Sequence, residues 1–281
     1  QRVALALFAR FTGGVMMATM IVLAKLANEH GATASETLIY RNVFAFPAIL
    51  GWIVVGPGLG SVVTTRPWAH LNRSALGLCA MTLNFFAISM LPVAELTTIN
   101  FLAPLAATAL AAILLGDRVG PHRWAAIALG FSGIIVMTQP GSRTDLPALG
   151  LLLSFLAVGL MSYVPITLRQ LGSIDPPTTT VFWFTTSGTV IGLVALIFCF
   201  QPHDLLTWAM IVGMGVSGAL LQLMMTMSLQ LAPVSASASL DYLQILWATL
   251  LSWLVWDNLP SVHTVIGGGG SCAPGAYTVH R

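Results

Sequence analysis

Along the 281 residues, apolar stretches of membrane-crossing length alternate with short polar ones. A helix needs about 20 apolar residues to cross a bilayer. Ten segments meet that need, over about 3–27, 35–55, 74–91, 93–115, 122–138, 146–168, 177–200, 206–231, 233–256 and 261–279. Between them stand turn-forming runs such as "NEHGATAS", "GDRVGPHR", "QPGSRTD", "GSIDPP", "QPHD" and "WDNLPS". Most connections are short, so sequential helices are expected to be antiparallel neighbours. The tenth segment is irregular. "VIGGGGSCAPGAYTV" has four consecutive glycines and a proline. Each glycine costs about 1 kcal/mol in a helix relative to alanine, and the proline removes a donor. It reads either as a distorted helix packed closely on a neighbour or as the product of a reading-frame slip.

The apolar pattern repeats. "LPVAELTTINFLAPL", from Leu91 to Leu105, is echoed by "LAPVSASASLDYLQIL", from Leu231 to Leu246. At a spacing of 141, Pro92 falls on Pro233, Asn100 on Asp241, Phe101 on Tyr242 and Leu102 on Leu243. Asp117 and Asp257 close the two segments. The chain divides into residues 1–140 and 141–281, five helices each. Five is odd, so the second half enters the membrane from the opposite side. The expected fold is all-α, an integral membrane protein of ten transmembrane helices in two inverted five-helix repeats that together form one transport domain. Inverted repeats of this kind build secondary transporters, with the site near the midplane where the halves meet.

Composition agrees with the membrane reading. The chain is 57% hydrophobic and 7% charged, with a mean hydropathy of +0.88. Soluble domains carry about 25% charged residues. The net charge of +2 argues neither for nor against nucleic acid, but no basic run exists, and no nucleic-acid partner is expected. The basic residues set an orientation. The side holding the N-terminus receives Arg2, Arg10, Arg66, Arg73, Arg118, Arg123, Arg169 and Arg281, and the other only Lys25, Arg41 and Arg143. The positive-inside rule then places both termini in the cytoplasm. Cys79, Cys199 and Cys272 lie in apolar stretches without metal-ligand spacing, and read as small buried hydrophobes.

Polar groups inside the apolar segments are the candidate chemistry. Asp241 is eight residues past Pro233, about 12 Å along a helix. A carboxylate at that depth costs several kcal/mol unless it is paired, watered or protonated. It reads as a partner for a substrate ammonium or as a proton site, or else as a satisfied interhelical hydrogen bond. Asn100 holds the equivalent depth in the first half. Glu95, three residues after Pro92, is either a capping carboxylate or a gate. Pro104 and Pro165 interrupt their helices and act as hinges or expose carbonyls, or are simply tolerated in a bundle. Phe85, Phe86, Phe101, Tyr163, Tyr242 and Trp247 offer ring faces, though such rings are as readily core or belt. Gln222 and Gln244 add polar contacts beside the adaptable "QLMMTM" run. Lys25 and Arg41 either snorkel or meet a carboxylate at an outer vestibule. "GMGVSG", at 213–218, fits a dinucleotide-binding pattern but lies inside an apolar span, so close helix packing is the better account.

At this point the chain resembles the drug/metabolite transporter (DMT) superfamily, and within it the bacterial EamA-type exporters. "LPVAELTTINFLAPLAATALAAILLGDRV" resembles the family's fourth helix and its exit, "RWAAIALGFSGIIVM" the helix that follows, and Arg41 stands where the family often has arginine. The tenth segment departs from the family pattern, with Gly268 and Gly275 as candidates for its small residues seven apart. The resemblance implies export of amino acids, aromatic ones among them, or of related small metabolites. The expected function is therefore alternating-access export through a central cavity in the cytoplasmic membrane of a bacterium. Asn100, Phe101, Asp241, Tyr242, Tyr163, Gln222, Gln244, Phe85 and Trp247 are the expected substrate contacts, and Glu95, Pro104 and Pro165 the gate and hinges. The partners are a small-molecule substrate and the lipid bilayer, and the chain is expected to act as a monomer or weak homodimer. Proton antiport of another metabolite or a drug-like cation is the alternative. A channel or sensor is a lesser one. An intramembrane enzyme would need a histidine at the depth of the acids, and His30, His70, His122, His203, His263 and His280 all read as loop or C-terminal residues. No enzyme, metal or cofactor is expected.

Overall fold

A computed structural model describes residues 2–91, 99–100, 102–116, 120–121, 124–125, 128, 147–231, 247, 250–251 and 253–255. Seven long helices account for most of them: α1 (Arg2–Glu29), α2 (Ala34–Val55), α3 (Pro67–Met90), α4 (Leu102–Leu115), α5 (Ala148–Leu171), α6 (Pro177–Cys199) and α7 (Leu205–Leu231). No strand occurs among the described residues. Five of the helices (α1, α2, α5, α6 and α7) are long and apolar enough to cross a membrane. α4 is a shorter apolar helix.

The helix ends follow local sequence chemistry. "TASE" forms a capping box at α2: Thr33 Oγ1 accepts from the Glu36 amide at 3.3 Å, and the Thr33 amide donates to Glu36 Oε2 at 2.9 Å. Asp204 Oδ1 accepts from the Thr207 amide at 3.2 Å and starts α7. Pro177 opens α6 from an extended Pro176. Gly116 follows α4 at φ +71°, a left-handed conformation that costs glycine nothing. α3 begins seven residues before the expected start at 74. Pro67 supplies the fixed φ of a first helical residue, and the helix therefore takes in the polar "PWAHLNR" that reads as a loop by hydropathy.

The described residues fall into two compact units. One draws on 1–71, 171–231 and 247–255, and the other on 72–170. In the first, α1, α2, α6 and α7 pack into a largely apolar bundle that also buries the charged side chains of Arg10 and Glu36. Glycines on α6 and α7 set the spacing. A Cβ on Gly215 would fall 2.4 Å from Phe44 Cβ and 3.1 Å from the Phe44 carbonyl carbon. One on Gly188 would fall 2.9 Å from the Asn42 side chain. Gly213 faces Leu23 of α1, and Gly218 faces Met20 and Arg41. The "GMGVSG" run is thus a packing surface, as small residues in membrane helices commonly are. α2 runs antiparallel to α6, with Phe46 against Phe182 and a buried bond from Thr189 Oγ1 to the Asn42 carbonyl at 2.9 Å. It runs alongside α7 in the same direction, from Tyr40 at Trp208 to the cluster of Ile49, Ile53 and Leu223.

In the second unit, Ala87, Leu91, Ile99, Leu102 and Val158 form the core. Gly150 lets Leu91 approach α5, since a Cβ there would lie 3.0 Å from Leu91 Cγ. Ser162 Oγ donates to the Ala103 carbonyl at 3.2 Å and ties α5 to α4. Much apolar surface stays outside the packing, including Val190, Ile191, Leu193, Val194 and Ile197 on α6 and Leu149, Leu152, Phe155 and Leu156 on α5. Contiguous apolar surface of this extent suits lipid rather than water.

Candidate functional site

Residues expected to line the site occur in both units. In the second unit, Asn84 on α3 donates through Nδ2 to Asn100 Oδ1 at 2.8 Å, and both side chains are half-buried. The bond fixes which way the Asn100 amide points and leaves its Nδ2 as a donor for another partner. Asn84 was absent from the sequence expectation, and only its apolar setting on a helix could have flagged it. Tyr163 sits half-buried on α5, two residues before Pro165. Pro165 lies inside α5 and cannot donate to the Met161 carbonyl one turn earlier. Pro104 is the third residue of α4, and its carbonyl accepts from Thr108 Oγ1 at 2.9 Å. Phe85 lies on α3.

In the first unit, Gln222 is buried on α7. Trp247 meets Phe11 of α1 edge-on, with ring centroids 5.3 Å apart, so its ring is engaged as packing. Arg41 is beside Gly218 and Met20, on the second turn of α2. Glu95, Phe101, Asp241, Tyr242 and Gln244 lie outside the described residues, as does the Phe85 side chain.

Sequence reasoning passed over the buried histidines. His70 reads as a loop residue because the hydropathy of "PWAHLNR" is low, yet it is on the first turn of α3 and its side chain is fully buried. Its Nε2 donates to Asp175 Oδ2 at 2.8 Å, which also accepts from Thr64 Oγ1 at 2.6 Å. Burial pushes the Asp175 carboxyl up, but the bonds from His70 and Thr64 outweigh it and hold the group below the usual carboxylate range. The proline-start signal at Pro67 is what could have placed His70 on a helix. At the other end of the bundle, His203 Nε2 stands 3.4 Å from Glu36 Oε1, within ion-pair range but without hydrogen-bond alignment. Among the described residues no group of three metal-ligating side chains occurs.

Long apolar helices, small-residue seams and a lipid-suited exterior define a polytopic α-helical membrane protein. The chain belongs to the EamA-like transporter family, whose model matches it twice, over residues 4–139 and 148–274. It is therefore a membrane transporter of the drug/metabolite transporter type and not an enzyme. It is similar to a riboflavin transporter of Rhizobium johnstonii, with 28% identity over 75% of this chain and 69% of that one. It is similar to an S-adenosylmethionine uptake transporter of Rickettsia prowazekii, with 23% identity over 83% and 78%. It is also similar to a pseudopaline exporter of Pseudomonas aeruginosa, with 24% identity over 95% and 91%. A solved crystal structure superposes with a TM-score of 0.74 at 19% identity, covering 96% of this chain and 94% of that one, which establishes a shared fold.

Proposed function

We propose that the chain is a secondary transporter that exports amino acids, aromatic ones included, or related small metabolites by alternating access. The observation that carries this reading is the double family match, one per half. It supports two five-helix repeats, 1–140 and 141–281, placed in inverted orientation by the odd helix count. Asn100 and Asp241 are then the equivalent polar residues of the two halves. Phe101, Tyr242, Tyr163, Phe85, Trp247, Gln222 and Gln244 complete the pocket, Glu95 acts at its entrance, and Pro104 and Pro165 bend the helices around it. Both termini lie in the cytoplasm, and the chain works in the inner membrane as a monomer or weak homodimer.

The relatives carry riboflavin, S-adenosylmethionine and pseudopaline by name, and both uptake and export occur among them. Kinship thus supports small-molecule transport more firmly than it supports one substrate or one direction. The uptake transporters favour import as the second reading. Proteoliposome counterflow tests both. Accumulation of labelled amino acid against its own gradient, lost in Asp241→Asn and Asn100→Ala, is the expected result. Normal counterflow in Asp241→Asn removes that residue from the site. Counterflow of riboflavin or S-adenosylmethionine without amino acids replaces the substrate class.

A further inference from the structure

Two clusters at opposite ends of the α1–α2–α6–α7 bundle are built from the same four kinds of side chain. At one end stand Glu36, Thr33, His203 and Trp208. Glu36 Oε2 accepts from the Thr33 amide and hydroxyl, both at 2.9 Å, and Oε1 faces His203 at 3.4 Å. The His203 ring meets Trp208 edge-on at 5.8 Å. At the other end stand Asp175, Thr64, His70 and Trp183. Asp175 accepts from Thr64 and His70, and the His70 ring stacks on Trp183 at 6.0 Å. Both pairs are buried, with side-chain exposures of 5% and 1% for His203 and Glu36 and 0% and 9% for His70 and Asp175. α2 runs from the first cluster towards the second, so about 28 Å, nearly a bilayer's apolar thickness, lies between them.

Each pair joins a residue of the first half of the chain to one of the second, with the roles exchanged. The first half supplies the acid at one end and the imidazole at the other. Glu36 and Asp175 are 139 positions apart and His70 and His203 133, close to the 141 of the apolar echo. One contact, duplicated and inverted with the chain, yields this pattern.

We propose that the two clusters are proton-binding latches, one at each membrane face, that hold the halves together when an imidazole that has taken a proton from that face pairs with the carboxylate beside it. The inference rests on the alternating-access reading. Separated and wetted, the carboxylate is ionised and the imidazole mostly neutral at pH 8. Brought together out of water, an imidazolium–carboxylate pair is net neutral, whereas a lone buried carboxylate is costly. Closing one end therefore takes up one proton from that side, and acid on either face favours that face closed. Other titratable groups lie near the latch residues. Around the first are Tyr40 on α2, the Lys25–Glu29 pair and His30 at the end of α1, and Asp204 before α7. Along the chain beside the second are Arg66, four residues before His70, and Arg73, three after it, with Arg169 six residues before Asp175. Carboxylates, tyrosines and guanidiniums keep one charge state between pH 6 and 8.

The test uses the full chain in nanodiscs, with spin labels at exposed positions spanning each end: 28 with 201, and 65 with 173. Distance distributions are read at pH 8 and pH 6. The expected result is a fall of about tenfold or more in the long-distance population at both ends on acidification, the scale set by one-proton linkage. His203→Gln then abolishes the response at 28/201 and keeps it at 65/173, and His70→Gln does the reverse. The retained response at the opposite end shows that each variant is folded. Should a histidine variant fail to fold, Glu36→Gln and Asp175→Asn ask the same question from the carboxylate side, and His30→Gln keeps both responses. Distances that ignore pH, or responses that survive the variants, overturn the latches. Substrate counterflow is measured on the same preparations. Counterflow with pH-insensitive distances removes the latches and leaves the transporter reading intact. End-specific pH responses without counterflow keep the proton sites and remove that reading.

Discussion

Gly215→Ala is the sharpest test of how the bundle is held. The new methyl would start 2.4 Å from Phe44 Cβ, with the Phe44 carbonyl carbon at 3.1 Å and its Cα at 3.2 Å. Carbon atoms rest at about 3.5–4.0 Å, so α2 and α7 must part by roughly 1 Å at this level. No rotamer relieves the clash, because the nearest atoms are Cβ and backbone. Overpacking of this kind costs about 1–3 kcal/mol. Against it stands the gain of about 1 kcal/mol that alanine brings to a helix over glycine. Two companions calibrate the balance. At Gly218 the nearest atoms, at 3.3 Å, are the Arg41 Cγ and the Met20 sulfur, both on flexible side chains. At Gly192 the nearest contact is an ordinary 3.4 Å. These two substitutions are expected to be neutral or stabilising, and Gly215→Ala to lower the melting midpoint in detergent by several degrees. Fluorescence-detected size exclusion after a heat series measures all three. Equal midpoints for Gly215→Ala and Gly218→Ala would refute the close seam between α2 and α7.

Three further outcomes are expected. In a double-mutant cycle on His70→Gln and Asp175→Asn, each single change costs about 1–3 kcal/mol and the double much less than their sum, read from thermal unfolding. The Asp175 carboxyl lies below its usual range in the folded chain. Its contribution is therefore fully present above the ordinary aspartate value near 4 and is lost as pH falls through the lowered one, so Asp175→Asn should flatten the acid limb of stability against pH. Thr189→Val keeps the shape but removes the donor to the Asn42 carbonyl, and should cost about 0.5–1.5 kcal/mol in the same assay.

Apolar length was enough to place α1, α2, α6 and α7 within a few residues, because a membrane helix is written in composition over about 20 positions. Apolar length put the start of α2 at 35, while the "TASE" capping box that fixes it in the structure was read only as part of a turn. α3 was misjudged by seven residues because hydropathy sees a polar turn where Pro67 and a buried histidine make a helix. His70 and Asp175 are 105 positions apart, and nothing local in either segment names the other. The Asn84–Asn100 bond is hidden likewise, since a sequence shows a polar residue on a helix but not its rotation towards a neighbour. Gly215 was legible only as a small residue of the "GMGVSG" run, and Gly188 was passed over. Their partners, Asn42 and Phe44, came from the packing of α6 and α7 on α2.

The two ends of the α1–α2–α6–α7 bundle are strung differently. Cys199 and Leu205 are joined by five residues, whereas Val55 and Pro67 are joined by eleven, four of them coiled into a 3₁₀ turn at Leu59–Val62. A fully extended chain gives about 3.3–3.6 Å per residue. The shorter tether thus limits the separation of its helix ends to about 20 Å, while the longer one has slack to pay out. The Ser61 carbonyl is bound by Thr179 Oγ1 and the Val62 carbonyl by Trp183 Nε1 at 3.2 Å. That slack is therefore stowed against α6, and releasing these two bonds is what would let it run.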